Sequence, residues 1–125
     1  MEDARIRKQW RWYSPKQDTV VTEREFVALP SHGQAVLGLA MKKYARGEHL
    51  PRHVKHIEGP IYEIRASIGT NNYRALFFND SPVHLIVVRV FYKDTNKTPR
   101  SEIKLALKRM KKWSEYHAEH SKHNN

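Results

Sequence analysis

Between Ile61 and Pro99 the chain carries Glu63, Arg65, Arg74, Arg89, Lys93 and Lys97, spaced along segments in which apolar and polar residues alternate. The planar guanidinium of arginine presents a fork of donors that matches phosphate, lysine supplies a mobile point charge, and a carboxylate nearby can move a proton. The set suits gripping and neutralising a phosphate. Each member also has a plainer reading: Arg65 paired with Glu63 on a solvated sheet face, Arg74 as a structural cation, Lys93 and Lys97 as solubilising charge.

The elements that must position these residues are three strands, predicted at Ile61 to Ile68, Tyr73 to Phe78 and Val83 to Tyr92, with Gly69 to Asn72 and Asn79 to Pro82 supplying the turns. The expected register pairs Ile68 with Tyr73, Ser67 with Arg74 and Arg65 with Leu76, so that Arg65, Ser67 and Arg74 share one face. Pairing Phe78 with Val83 brings Arg89 to that face, and Lys93 lies just beyond it. The opposite face, with Tyr62, Ile64, Ala66, Ile68, Tyr73, Ala75, Phe77, Ile86, Val88 and Val90, is the expected core. Upstream, residues 5–13 read as a strand with Ile6, Trp10 and Trp12 on one side. Two helices follow, opened by capping boxes at Thr22 to Glu25 and Ser31 to Gln34. Pro30 ends the first and Gly47 the second, whose apolar stripe is Val36, Leu39, Ala40 and Tyr44. Pro51 to Pro60 reads as a loop. A last helix is capped by Thr98, with Pro99 in its first turn and Ile103, Ala106, Leu107, Met110 and Trp113 on one face. The plan is α+β: an N-terminal strand, a helical hairpin, a three-stranded antiparallel meander and a C-terminal helix.

The chain of 125 residues has the length of one domain, read as residues 1–117 with a polar, frayed tail at 118–125. Twenty-three lysines and arginines against 13 acids leave a net charge of +10, which favours a polyanionic partner, nucleic acid before membrane. The excess gathers at residues 1–16, 42–56 and 93–125, flanking the strands. The absence of cysteine excludes disulfides, thiolate metal sites and a thiol nucleophile, and fits a reducing compartment. There is no apolar run of membrane-spanning length and no signal peptide, so a cytoplasmic location is expected. His117, His120 and His123 have a spacing that can chelate, but in a polar tail they read as a chance cluster. No metal or cofactor is expected.

Ile61-Tyr62-Glu63-Ile64-Arg65, Asn72-Tyr73-Arg74-Ala75-Leu76-Phe77-Phe78, Phe91-Tyr92-Lys93 and Lys97-Thr98-Pro99 ahead of an amphipathic helix, with Glu25-Phe26, Leu29-Pro30, Gly47 and Gly59 upstream, together resemble the HigB-like, phage-related branch of the RelE superfamily of bacterial toxins. The likeness covers about Thr22 to Trp113. It implies a RelE-like fold and a type II toxin, a ribosome-dependent mRNA endoribonuclease silenced by a co-expressed antitoxin, usually a helix-turn-helix protein of the HigA kind. Metal-free RNA cleavage uses the neighbouring 2′-hydroxyl, so the protein must remove its proton, neutralise charge growing on phosphorus and protonate the leaving 5′-oxygen. By the resemblance Arg74 takes the phosphate, Arg65 is the second choice, Lys93 holds the backbone or the leaving group, and Glu63 stands where some relatives place a general base.

Lys97, Arg89, Tyr92, Lys104 and Lys108 complete the expected RNA-binding set. One departure is Asp94, which follows Lys93 where many relatives have a second lysine. A non-cleaving RNA- or ribosome-binding module of the same fold is the alternative that Asp94 favours, and a nucleic-acid adaptor with no toxin role is a third reading.

Overall fold

A two-residue turn sets the sheet. The computed structural model describes residues 7–16 and 20–123, the last five of these by backbone alone; Ile6 and the side chains of His120 and His123 lie outside the described residues. Strands β3 (Ile61–Ile68) and β4 (Asn71–Asn79) are joined through Gly69 and Thr70. Gly69 has φ 61°, at the first central position of the turn, where a side chain would be strained. Strand β2 (Val54–Glu58) pairs antiparallel with β3, β5 (His84–Lys93) antiparallel with β4, and β1 (Gln9–Trp12) parallel with β5. The sheet order is β1-β5-β4-β3-β2.

The tight turn pairs Ile68 with Asn71 and Arg65 with Arg74, two residues away from the expected register, and parity keeps Arg65, Ser67 and Arg74 on one face. Between β4 and β5 an irregularity falls after Leu76, so that Phe78 pairs with Ile86 but Leu76 with Arg89. This bulge corrects the expected core. Arg89 joins the Arg74 face as anticipated, but Ile86 and Val88 join it too, while Leu85, Val87 and Val90 take the opposite side. The stretch expected as a loop at 51–60 instead holds a 3-10 turn, Pro51–His53, and then β2, which widens the meander by one strand.

Helix α1 (Thr22–Val27) and helix α2 (Ser31–Ala45) form the expected hairpin, but neither begins with a side-chain cap. The Thr22 hydroxyl instead accepts from the Tyr13 N–H at 2.9 Å and donates to the Val87 carbonyl at 3.0 Å, holding β1 and α1 to β5. Gln34 reaches back to the Val27 and Leu29 carbonyls rather than to an N–H. The buried stripe of α2 is Gly33, Leu37, Ala40 and Met41, flanked by Val36 and Tyr44, while Leu39 is 54% exposed. Gly33 is required by close approach, since a Cβ there would lie 2.5 Å from the Tyr73 ring. Gly47, at φ 73°, turns the chain out of α2.

Helix α3 (Arg100–His123) runs on through the polar segment that begins at Ala118. Ile103, Ala106 and Trp113 are buried, and Leu107 and Met110 pack beside them. Thr98 stands two residues before Arg100, where α3 starts; its hydroxyl donates to Glu63 and accepts from Arg74 Nη1 at 3.5 Å. The helix covers the arginine-bearing face of the sheet, so both faces are buried: one cluster lies against the α1–α2 hairpin, the other against α3. Among the described residues no helix is long and apolar enough to cross a membrane.

Candidate phosphate-binding site

The register lays the candidate residues out in rows on the α3 side of the sheet. Glu63, Leu76 and Arg89 form one row; Arg65, Arg74 and Phe91 the next; Ser67, Asn72 and Lys93 the last. Alternation along β3 and β4 does part of this, and the bulge at Val88 does the rest by bringing Arg89, Phe91 and Lys93 onto the same face.

Glu63 is the hub. It is 1% exposed, and both of its oxygens are engaged. Oε1 accepts from Arg65 Nε at 3.0 Å and lies 2.8 Å from Arg65 Nη2; Oε2 accepts from the Thr98 hydroxyl at 2.5 Å and lies 3.9 Å from Arg74 Nη1. Arg74 has no exposed surface, and its Nε and Nη2 are buried without a hydrogen-bond partner. Burial and, after it, the Arg65 charge push the Arg74 guanidinium below its ordinary value, against the pull of Glu63. Phe91 lies under it, with the ring centroid 5.8 Å from the guanidinium carbon. This is a cation enclosed by protein groups, with two donor nitrogens unpaired among the described residues.

Arg65 is partly exposed, and its Nη2 donates to the Asn96 carbonyl at 2.7 Å. Asn72 Nδ2 donates to the Thr95 carbonyl at 3.1 Å. With the Thr98–Glu63 bond, three tethers hold the segment from Asp94 to Thr98 against the sheet, and on it Lys97 stays exposed, as does Lys93 just before it.

Arg89 is placed differently. It pairs with Glu25 at 2.8 Å and with Glu102 at 3.0 Å; burial opposes its charge, but the bonds to Glu102 and the charge of Glu25 outweigh burial and raise its pKa. Glu25 also accepts from the Val90 N–H and pairs with Arg109, which donates to the Val88 carbonyl. This network closes the part of the β5 edge that β1 leaves open. Arg89, Tyr92 and Lys93 border a cavity of about 340 Å³ between α1 and β5, and Tyr92 is 50% exposed there. Lys104 and Lys108 are exposed along α3.

A second, smaller cleft of about 80 Å³ opens on the other side, lined by Arg52, His53, Val54, Lys55, Glu63 and Arg65. Buried Arg74 thus stands between an Arg65 cleft and an Arg89–Lys93 cavity. Arg52, His53 and Lys55 fell in the stretch read as a loop; the one sequence signal for them was the charge excess at 42–56. His84 Nδ1 lies 3.0 Å from the Ser81 hydroxyl.

Residues 24–111 match the family described as phage derived protein Gp49-like (DUF891). Over 105 residues, 83% of each chain, the sequence is 34% identical to proteins named probable endoribonuclease HigB1 from two strains of Mycobacterium tuberculosis, CDC 1551 / Oshkosh and ATCC 25618 / H37Rv. The match takes in every candidate residue from Glu63 to Lys108. With its α+β architecture, its paired arginines and a family match over most of its length, the chain belongs to the phage-derived Gp49-like family, among the HigB-like toxins.

Proposed function

We propose that the protein is the toxin of a type II toxin–antitoxin pair, a cytoplasmic endoribonuclease that cuts mRNA on the ribosome without a metal ion and is neutralised by a cognate antitoxin of the helix-turn-helix, HigA-like kind. The observation that carries this reading is the 34% identity, across 83% of both chains, to proteins named as probable endoribonucleases. The geometry adds a physical rationale. Arg65 offers a guanidinium to solvent at the cleft, and Arg74 behind it adds positive charge in a low-dielectric site, where it acts strongly on a phosphate gaining negative charge. Lys93 and Lys97 are free to hold the adjoining backbone or the leaving group, Tyr92 offers a face for stacking a base, and the exposed lysines of α3 suit ribosomal RNA. Glu63, with both oxygens engaged, serves as the anchor of the two arginines.

Expressing the chain alone should arrest growth, with mRNA ends appearing at discrete positions inside translated codons; normal growth with intact message at high soluble expression would contradict the reading. Naked RNA should be cut poorly, because in-line attack needs the substrate aligned and the ribosome supplies that alignment. Asp94 favours a second reading, a module that blocks ribosomes without cutting. An Arg65→Ala protein inhibiting translation as strongly as the parent, with message intact in both cases, would establish it.

A further inference from the structure

Cleavage by a 2′-hydroxyl needs an acceptor for that proton, and the central carboxylate is poorly placed to be it. Both oxygens of Glu63 are committed, to Arg65 on one side and to Thr98 on the other. Glu25 and Glu102 are likewise held by Arg89 and Arg109. Guanidinium groups keep their protons. The cleft beside Arg65 contains one further side chain able to accept a proton at neutral pH: His53, at the end of the 3-10 turn.

Resting on the endoribonuclease reading, we propose that His53 is the catalytic base of this protein, taking the 2′-hydroxyl proton of a ribose whose 3′-phosphate is held by Arg65. The His53 ring is partly buried, and its Nδ1 lies buried with no hydrogen-bond partner. Among the described residues nothing bonds that nitrogen; being buried, it carries the ring proton and leaves Nε2 as the nitrogen that accepts from the substrate. Its surroundings are mostly cationic: Arg52 in its own turn, Lys43 from α2, Lys55 from β2 and Arg65 from β3, with the His49 ring close by and Glu63 the one acid lining the cleft. Burial first, then the charges of Arg52, Lys43 and His49, lower the His53 pKa from its ordinary 6.5, so the ring is neutral and ready to accept at pH 7. The same cations attract the phosphodiester that brings the substrate hydroxyl to it.

In the step, the 2′-oxygen gives its proton to the imidazole and bonds to phosphorus, while the bond from phosphorus to the 5′-oxygen breaks and that oxygen takes a proton from water. The products are a 2′,3′-cyclic phosphate and a 5′-hydroxyl end. The imidazolium then releases its proton to solvent. No oxidant, metal or second substrate enters.

The test uses the full chain, purified 70S ribosomes and a defined message, with cleavage followed across pH 5–9. Wild type should show a rate that rises with pH and levels off, its acid limb below the ordinary 6.5 of histidine. His53→Ala and His53→Gln should lower kcat by about 10²–10⁴-fold with KM little changed, should lose the acid limb, and added imidazole should restore cleavage to His53→Ala. Thermal melts establish that these variants fold, and His53→Gln keeps the volume if His53→Ala does not. Lys55→Met should raise KM and keep the limb. A folded His53→Gln protein with parental kcat, or an acid limb that disappears with Lys55 instead, overturns the assignment while leaving the nuclease reading intact. A wild-type protein that never cuts message overturns both.

Discussion

Glu63 shows how one carboxylate can be worth more as an anchor than as a reagent. Glu63→Gln would leave Arg74 as an uncompensated buried charge, so it should destabilise the fold by about 3–5 kcal/mol, read from urea denaturation; a loss below about 1 kcal/mol would mean that Arg74 is neutralised by something else. Arg74→Ala should reduce both stability and cleavage, since the residue has no exposed surface and touches Glu63, Thr98 and Phe91. Sequence reading put Arg74 on the face opposite the expected core, as a phosphate ligand or a structural cation. It found the right face, because side-chain parity follows from a period of two, but not the burial, because the helix that covers that face begins some 25 residues later and no local pattern announces where it will lie. Arg65 and Glu63 form the plain ion pair, but with Glu63 buried rather than on a solvated face.

Elements contact one another through small residues and redirected polar groups, and this is where local reasoning met its limit. Thr22, Gln34 and Thr98 all occupy positions where helices are commonly capped, yet each spends its side chain on a tertiary partner. The hydroxyl was legible and its partner was not. The bulge at Val88 carries no glycine or proline, so nothing in the sequence marked the reversal of Ile86 and Val88. Strand β2 was hidden between two prolines. Gly33 sits in the first turn of α2, where alanine would ordinarily be the better helix former. With the Tyr73 ring 2.5 Å from the added carbon, and Tyr73 buried and bonded to His32 at 3.0 Å, Gly33→Ala should instead lower stability by about 1–3 kcal/mol. A melting temperature equal to or above the parent would show that α2 can slide from β4. Thr98→Val keeps the shape but removes the bond to Glu63 and one tether of the 94–98 segment, so it should melt below both the parent and Thr98→Ser.

Across the whole molecule, acids are used sparingly and where cations are buried or bordering helices: Arg65, Arg74, Arg89, Arg100 and Arg109 all face carboxylates. Stability should respond to pH at both ends. Burial raises the pKa of Tyr13 and Tyr44 above 10.0, so the unfolded chain releases those protons first and stability should fall as pH rises beyond 10. The lowered pKa of His53 works in the acid direction: its contribution is intact above 6.5 and is lost as pH falls from there through the folded value. Thermal melts from pH 4 to 11 should show both shoulders, and His53→Gln should flatten the acid one. The parallel pairing of β1 with β5 also fixes when the molecule can come into being. Gln9 to Trp12 bind His84 to Val87, and Glu25 of α1 waits for Arg109 of α3. A growing chain lacks the strand that pairs with β1 and the arginine that holds Glu25 until residues 84–109 have been made. A chain stopped before β5 therefore lacks both the strand that completes the arginine rows and the helix that covers them.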